Sequence, residues 1–239
     1  MDLTTHFYDI HEINSDDRKV IKQSFVGGLA QFIVDHVEKC GDAIAIARSA
    51  YERMCGTHLH YHTPIHVLQM FDFARLHNIE LKPCEELAIW YHDVIYHVGT
   101  GFGPSEHASM DFMAASLYPG YKEVVERAKG TILATAAHME DNVNPEYTKV
   151  LDLDVNTFLT TGDMARELND CLKKELCPKS DEGWLRGRSG FLETFLIKGF
   201  VFRSPEMKRL DQQAVSNIRD QIAECKQILR DEYSVEVLT

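Results

Sequence analysis

Apolar residues recur at helical spacing along almost the whole chain, whereas alternating apolar and polar runs bounded by turn residues are scarce. This pattern predicts an all-α fold with few strands or none. Two helix starts are marked locally, because Ser15-Asp16-Asp17 can cap a helix and Pro205 suits a first helical position. The predicted helices cover residues 15–40, 42–54, 64–76, 84–97, 105–118, 121–138, 148–159, 163–176, 187–202 and 205–233.

Length and composition favour one globular domain. Of the 239 residues, 44% are hydrophobic and 26% are charged, which is enough apolar material for a sizeable core. No internal repeat or linker-like change of composition divides the chain. We therefore expect a single domain over residues 1–239, with residues 1–45 as an N-terminal helical extension.

The net charge and the cysteine content limit the kinds of partner and the cellular compartment that we expect for this protein. The 37 acidic and 25 basic side chains give a net charge of -12, which repels a nucleic acid polymer and favours a small-molecule partner. Six cysteines lack metal-binding spacing, and no secretory or membrane-spanning apolar run is present. We expect reduced thiols, a cytoplasmic location and no membrane partner. The apolar face of the last helix suits the core or a homodimer equally well.

Four of the twelve histidines, at 58, 60, 62 and 66, lie within nine positions. Pro64 fits a helix only at its first position, which makes Thr63 the N-cap. His66 then lies in the first turn and faces inward, while His62 lies just outside the helix. A zincin-like histidine pair is disfavoured, because the HExxH glutamate is missing as well.

Two further segments place carboxylates among apolar residues. His92-Asp93 interrupts a strongly apolar helical run, and burying the two together is costly unless they are paired or bound to a metal. A buried ion pair and a partly exposed helix are the alternatives. In LDLDV, Asp152 can cap a helix, whereas Asp154 is harder to explain as a solvated residue.

The order of these residues resembles a known superfamily. His66, His92-Asp93 and Asp154 follow the H…HD…D pattern of the HD-domain metal-dependent phosphohydrolases. The flanking segments HVLQM, AIWYHDVIYH, ILATAAH and LDLDV are most similar to the branch known as the predicted metal-dependent HD phosphohydrolases, from about residue 50 to residue 225. The resemblance implies an HD-type helical bundle. It also implies that one or two divalent ions (Mn, Fe, Mg, Zn, Ni or Co) bind through His66, His92, Asp93 and Asp154.

The same resemblance suggests roles for the neighbouring residues. The YHTPIH stretch is similar to a segment of cyclic-nucleotide phosphodiesterases, which makes His62 an acid/base candidate. Asp93 and Glu106 join it as catalytic candidates, and His138 and Arg188 are candidates for substrate binding. Glu106 and His138 have simpler interpretations as a helix-start glutamate and a helix-end histidine. The glycine-rich loop of residues 99–106 is expected to form a flexible rim over the site.

The predicted function is hydrolysis of a phosphate mono- or diester in a small phosphorylated substrate, with nucleotides among the candidates. A divalent ion would activate water, and a histidine would protonate the leaving oxygen. One alternative is an HD-type di-iron oxygenase, for which His107 and His138 would supply the extra histidines. The other is a non-catalytic HD protein that binds a metal or a ligand.

Overall fold

The computed structural model describes residues 8–37, 41–99, 101, 103–119, 123–138, 140 and 142–233. Within these ranges the chain forms eleven α-helices and one 3₁₀ helix and contains no strand, so the prediction of an all-α single-domain fold is confirmed. The helices are α1 Ser15–His36, α2 Ala43–Met54, α3 Pro64–Leu76, α4 Pro83–Tyr91, α5 Pro104–Ser116, α6 Glu123–Thr135, α7 Thr148–Asp154, the 3₁₀ helix Asn156–Leu159, α8 Gly162–Leu176, α9 Asp181–Lys198, α10 Pro205–Lys208 and α11 Asp211–Tyr233.

Local capping sets several helix starts. The Thr63 hydroxyl accepts a hydrogen bond from the backbone N–H of Ile65, with Pro64 at the first helical position, as the sequence predicts. At α1 the cap is Asn14, one residue before the predicted start, and its side chain accepts from two backbone N–H groups. The start of α3 therefore follows from residues adjacent in sequence.

Helix α4 ends at Tyr91, so the prediction that it continues to His97 is wrong. The backbone beyond the helix is satisfied by α5, because the side chains of Ser109 and Ser105 accept from the N–H groups of Ile95 and His97, each at 3.0 Å. These contacts come from another element and leave no local signal. As a result, the His92-Asp93 doublet lies at the helix end, where the two side chains can converge.

Other boundaries also differ from the predictions. Helix α1 ends at His36 rather than near residue 40, and α9 begins at 181 and ends at 198. The segments 148–159 and 205–233 are each divided in two. Cys40 and Tyr121, at the predicted ends of two helices, lie outside the described residues.

The core joins the N-terminal helices to the centre of the molecule. Phe25 and Leu29 of α1 are fully buried in the same core as Trp90 of α4. A Cβ atom at Gly28 would lie 2.9 Å from the Trp90 ring, so this glycine permits the close approach of α1 to α4. The unfavourable glycine inside a helix therefore has a packing reason.

Helices α3, α4 and α7 contact one another at the centre, and α9 packs against α11 along one side. The buried residues of α11 include Ala214, Ile218 and Leu229, and this helix makes its main contact with α9. None of the helices in the described ranges combines the length and the apolar character needed to cross a bilayer.

Candidate metal centre and adjoining cavity

The four predicted metal ligands lie together where α3, the end of α4 and α7 meet. One donor atom from each of His66, His92, Asp93 and Asp154 lies within 4.8 Å of the others. His66 Nε2 is 2.9 Å from Asp154 Oδ1, although the two residues are 88 positions apart. His92 Nε2 lies 2.9 Å from Asp93 Oδ2 and 3.4 Å from Asp154 Oδ1.

The arrangement of this cluster fits a divalent cation. His92 Nδ1 donates to the Ile89 carbonyl at 3.0 Å, so Nε2 is the nitrogen that faces the cluster and, once it has lost its proton, can bind a cation. His92 Nε2 and Asp93 Oδ2 are buried, and neither has a partner with hydrogen-bond geometry in the described part of the chain. Two imidazole nitrogens and two carboxylates suit a first-row divalent ion or Mg. The cluster can therefore hold a metal ion, whose identity the donor set does not select.

The ligands hold one another in charged forms. Burial by itself raises the pKa of Asp154, but His92, His138 and His66 together hold it well below its usual range. Burial alone lowers the pKa of His92, and the carboxylates of Asp93 and Asp154 outweigh this effect and raise it well above its usual value. The site thus presents ionised carboxylates in a buried setting, where a cation would be strongly attracted.

His62 lies outside α3, as predicted, and lines the cavity beside the cluster. Its Nδ1 is hydrogen-bonded to the carboxylate of Glu175, and its ring stacks on Tyr96 with centroids 3.6 Å apart. The same carboxylate accepts from the backbone N–H groups of His60 and Tyr61, each at 2.8 Å. Because Nδ1 is engaged, Nε2 is the nitrogen of His62 that remains for a ligand in the cavity.

The sequence predictions do not include Glu175, although a signal for it exists. In α8 the buried residues Leu168 and Cys171 precede it by seven and four positions, so Glu175 continues an apolar helical stripe. Its side chain is fully buried. A carboxylate at such a position needs a buried partner, and here the partner is His62.

The charges of this pair support each other. Burial lowers the pKa of His62, but Asp93 and Glu175 outweigh that effect, so the pKa is raised above its usual value. Burial raises the pKa of Glu175, while His62 and the backbone N–H donors lower it to a greater extent. The His62 imidazole is therefore more basic than that of an isolated histidine.

His138 and Glu106 both line the cavity, with different structural contacts. His138 Nε2 is 2.8 Å from Asp154 Oδ2, and the Arg203 side chain donates to the His138 carbonyl at 2.7 Å. Glu106 accepts from the backbone N–H of Gly103 at 2.8 Å and thereby caps α5. His138 thus orients the carboxylate of Asp154, and Glu106 both caps α5 and lines the cavity. Arg203 lies outside the predicted set, and its sequence context carries no sign of this contact.

Asp152 does not cap its own helix, so that interpretation is wrong. Its carboxylate accepts from the backbone N–H of Arg203 at 2.9 Å and from the N–H and hydroxyl of Ser204, each at 2.6 Å. Asp152 and Asp154 project from α7 to different surroundings: Asp152 holds the segment before α10, and Asp154 joins the candidate metal cluster.

A cavity of about 480 Å³ extends from the cluster to α9. Arg188, predicted to bind substrate, is buried in its wall, and Gly99 and Gly101 of the glycine-rich loop also line it. Thr100 and Phe102 of the same loop lie outside the described residues. The volume is within the range of small-molecule sites.

No protein-family model, no curated protein and no solved structure matches this chain. The membership in the HD superfamily suggested by the sequence motifs therefore stays a prediction, and the functional assignment depends on the geometry described above.

Proposed function

We propose that this protein is a metal-dependent phosphohydrolase of the HD type, which cleaves a phosphate mono- or diester in a small molecule. The observation that carries the proposal is the convergence of four donor atoms within 4.8 Å of one another at a cavity that His62 also lines. An ion held there would neutralise charge on a phosphoryl oxygen and promote the ionisation of water.

The chain's own residues would supply orientation and proton transfer. Asp93 lines the cavity, and its carboxylate would accept a hydrogen bond from the attacking water. The water oxygen bonds to phosphorus, the ester P–O bond breaks, and the departing oxygen takes a proton from His62 Nε2. The water would lose its proton to bulk solvent as it ionises, and His62 Nε2 would take a proton back from solvent after the products leave. Glu175 keeps the His62 ring in place and favours its protonated form.

Hydrolysis accounts for the site better than oxygenation does. Of the two extra histidines that an oxygenase would use, His138 contacts Asp154, but His107 is exposed and its Nδ1 donates to the Gly103 carbonyl at 2.8 Å. Only one of them reaches the cluster. The His62 ring, which is stacked and hydrogen-bonded to a carboxylate, could protonate a leaving group. An oxygenase does not require a residue with this role.

A panel of phosphate esters tests the proposal. The wild-type protein is freed of metal by chelation, supplied in turn with Mn, Mg, Ni and Co, and assayed with phenyl phosphate, bis(4-nitrophenyl) phosphate and linear and cyclic nucleotides. We expect metal-dependent release of phosphate or alcohol, which Asp93→Ala abolishes while its circular dichroism stays that of the wild type. Absence of turnover with every metal would support the non-catalytic alternative, and oxygen consumption by an iron-loaded protein would support the oxygenase.

A further inference from the structure

One face of α9 forms the wall of the cavity on the side of Arg188. Trp184, Gly187, Arg188 and Phe191 all line it, and their spacing of three, four and seven residues places them on one side of the helix. Phe158 of the 3₁₀ helix lies beside them, with its ring centroid 6.5 Å from that of Phe191. This wall is aromatic and apolar with a single cation.

Arg188 has no acidic partner among the described residues. It is 7% exposed, and its polar contact is a long hydrogen bond from Nη2 to Gln221 Oε1 at 3.4 Å. Its Nε is buried without a partner in the described ranges. Burial lowers the pKa of the guanidinium to about 10, so it still carries its charge at neutral pH.

A buried and uncompensated guanidinium is costly unless an anion pairs with it. Phe191 is the aromatic neighbour of the guanidinium, whose carbon lies 5.8 Å from the ring centroid. Among the described residues no counter-charge is present, and an anionic group on a molecule in the cavity would supply one. The geometry of the guanidinium suits a carboxylate or a phosphate, which can accept two of its N–H groups at once.

The two ends of the cavity thus differ in what they bind. The metal cluster would take a phosphoryl group, the aromatic wall would take an apolar or planar body, and Arg188 would take an anion. We propose that the substrate is a phosphoester whose apolar or aromatic body carries a second anionic group, and that Arg188 selects it by binding that group. This inference rests on the proposed function of the metal cluster.

Matched aryl phosphates test the selection. Phenyl phosphate is compared with analogues that carry a carboxylate or a phosphonate at the meta position, at the para position or on a second ring. In the wild-type protein we expect at least one doubly anionic ester to have a KM lower than its uncharged parent by about tenfold or more, as a charge-assisted hydrogen bond provides. In Arg188→Met this advantage should disappear, so that the doubly anionic esters and their uncharged parents have similar KM values.

The control is Arg186→Met, because Arg186 is exposed on the same helix and its Nε is paired with Glu182. It should keep the preference for the second anion. Arg188→Met should fold with an unchanged or higher thermal midpoint, since it removes an unpaired buried charge. Equal KM values for the charged and uncharged esters in the wild type would overturn the inference, and so would equal losses in the two arginine variants.

A second pair of variants tests the same wall by volume. Gly187 and Gly190 are both interior to α9, and a Cβ atom at either has nothing within 4 Å, but only Gly187 lines the cavity. We expect Gly187→Leu to raise KM for the two-ring esters and Gly190→Leu to leave it unchanged. If the two leucine variants behave alike, the aryl group does not occupy this wall.

Binding of the corresponding aryl phosphonates, measured by calorimetry, separates this inference from the proposed function. Tighter binding of the doubly anionic phosphonates that requires Arg188, without turnover of any ester, would support the anion site and contradict the hydrolase. Turnover of the esters without any dependence on Arg188 would support the hydrolase and contradict the anion site.

Discussion

Two clusters of histidine and aspartate differ in how their polar atoms are satisfied. In the cluster of Asp9, His11 and His60, donor atoms also lie within 4.8 Å of one another. There, however, Asp9 Oδ2 is 2.8 Å from His60 Nδ1 and 3.2 Å from Lys174 Nζ. His11 Nε2 donates to the Leu59 carbonyl at 2.9 Å. The Lys174 ammonium is thus already paired with the carboxylate that a metal would need.

The cluster of His66, His92, Asp93 and Asp154 has no lysine or arginine among its ion-pair partners in the described ranges. Two of its buried atoms have no partner there with hydrogen-bond geometry. The same residue types therefore have different roles. Proximity of histidine and aspartate alone does not define a metal site. The cluster that has no lysine or arginine partner in the described ranges, and that holds two buried atoms without a hydrogen-bond partner there, is the one suited to a metal.

The largest expected difference between the two regions is in catalysis. His62→Asn should lower kcat for phosphoester hydrolysis by about 10²- to 10⁴-fold, because it removes the proton donor for the leaving group. His60→Asn, two residues away and paired with Asp9 of the other cluster, should leave kcat near the wild-type value. Steady-state kinetics with the same metal decide this. Equal effects of the two substitutions would show that His62 has no special role in proton transfer.

Glu175→Gln should produce a smaller effect with a distinct pH signature. Glu175 raises the pKa of His62, so its neutralisation should lower that pKa and move the alkaline limb of the kcat profile to lower pH. We expect kcat at neutral pH to fall by about 10- to 100-fold, as for other residues that orient a functional histidine. Asp170→Asn, at an exposed position of the same helix, is the matched control. An unmoved alkaline limb in Glu175→Gln would contradict the positioning role.

The smallest effect is expected for Asp9→Asn, and it should appear in stability rather than in activity. Burial raises the pKa of Asp9, but its contacts with the His11 backbone N–H, His60 and Lys174 lower the pKa by more than burial raises it. The net pKa is therefore below its usual value. Its stabilising contribution is therefore complete above its pKa in the unfolded chain and is lost as the pH falls through the lowered folded value.

Denaturant unfolding at several pH values measures this contribution. Between about pH 5 and pH 3, the wild-type protein should lose more unfolding free energy than Asp9→Asn does. Parallel pH dependences of the two proteins would show that the Asp9 carboxylate is not stabilised by its partners.

Sequence patterns locate some site residues and miss others. The two groups differ in how far apart in sequence their contacting residues lie. Thr63 and Pro64 fix the start of α3 through adjacent contacts, and this places His66 in the first helical turn. The carboxylate of Asp154 is detectable because it occurs in an apolar segment. In contrast, Glu175 and His62 are 113 positions apart, and only the packing of α8 brings them together.

The end of α4 shows the same limit. The apolar helical pattern resumes after His92-Asp93 and predicts a helix to residue 97, but Ser105 and Ser109 of α5 provide acceptors that let the backbone leave the helix after Tyr91. Helix propensity along a single segment does not include acceptors from another element. The same departure from the helix allows His92 and Asp93 to face one centre, which neighbouring positions on a regular helix would not do.

The metal content of the purified protein and of two variants tests the central claim most directly. Each is freed of metal, equilibrated with a single divalent ion, dialysed and analysed by mass spectrometry for metal per chain. We predict near-stoichiometric metal in the wild type and in Asp9→Asn, and almost none in Asp93→Asn. Retention of the full metal content by Asp93→Asn, or its loss in Asp9→Asn, would contradict the assignment of the metal site.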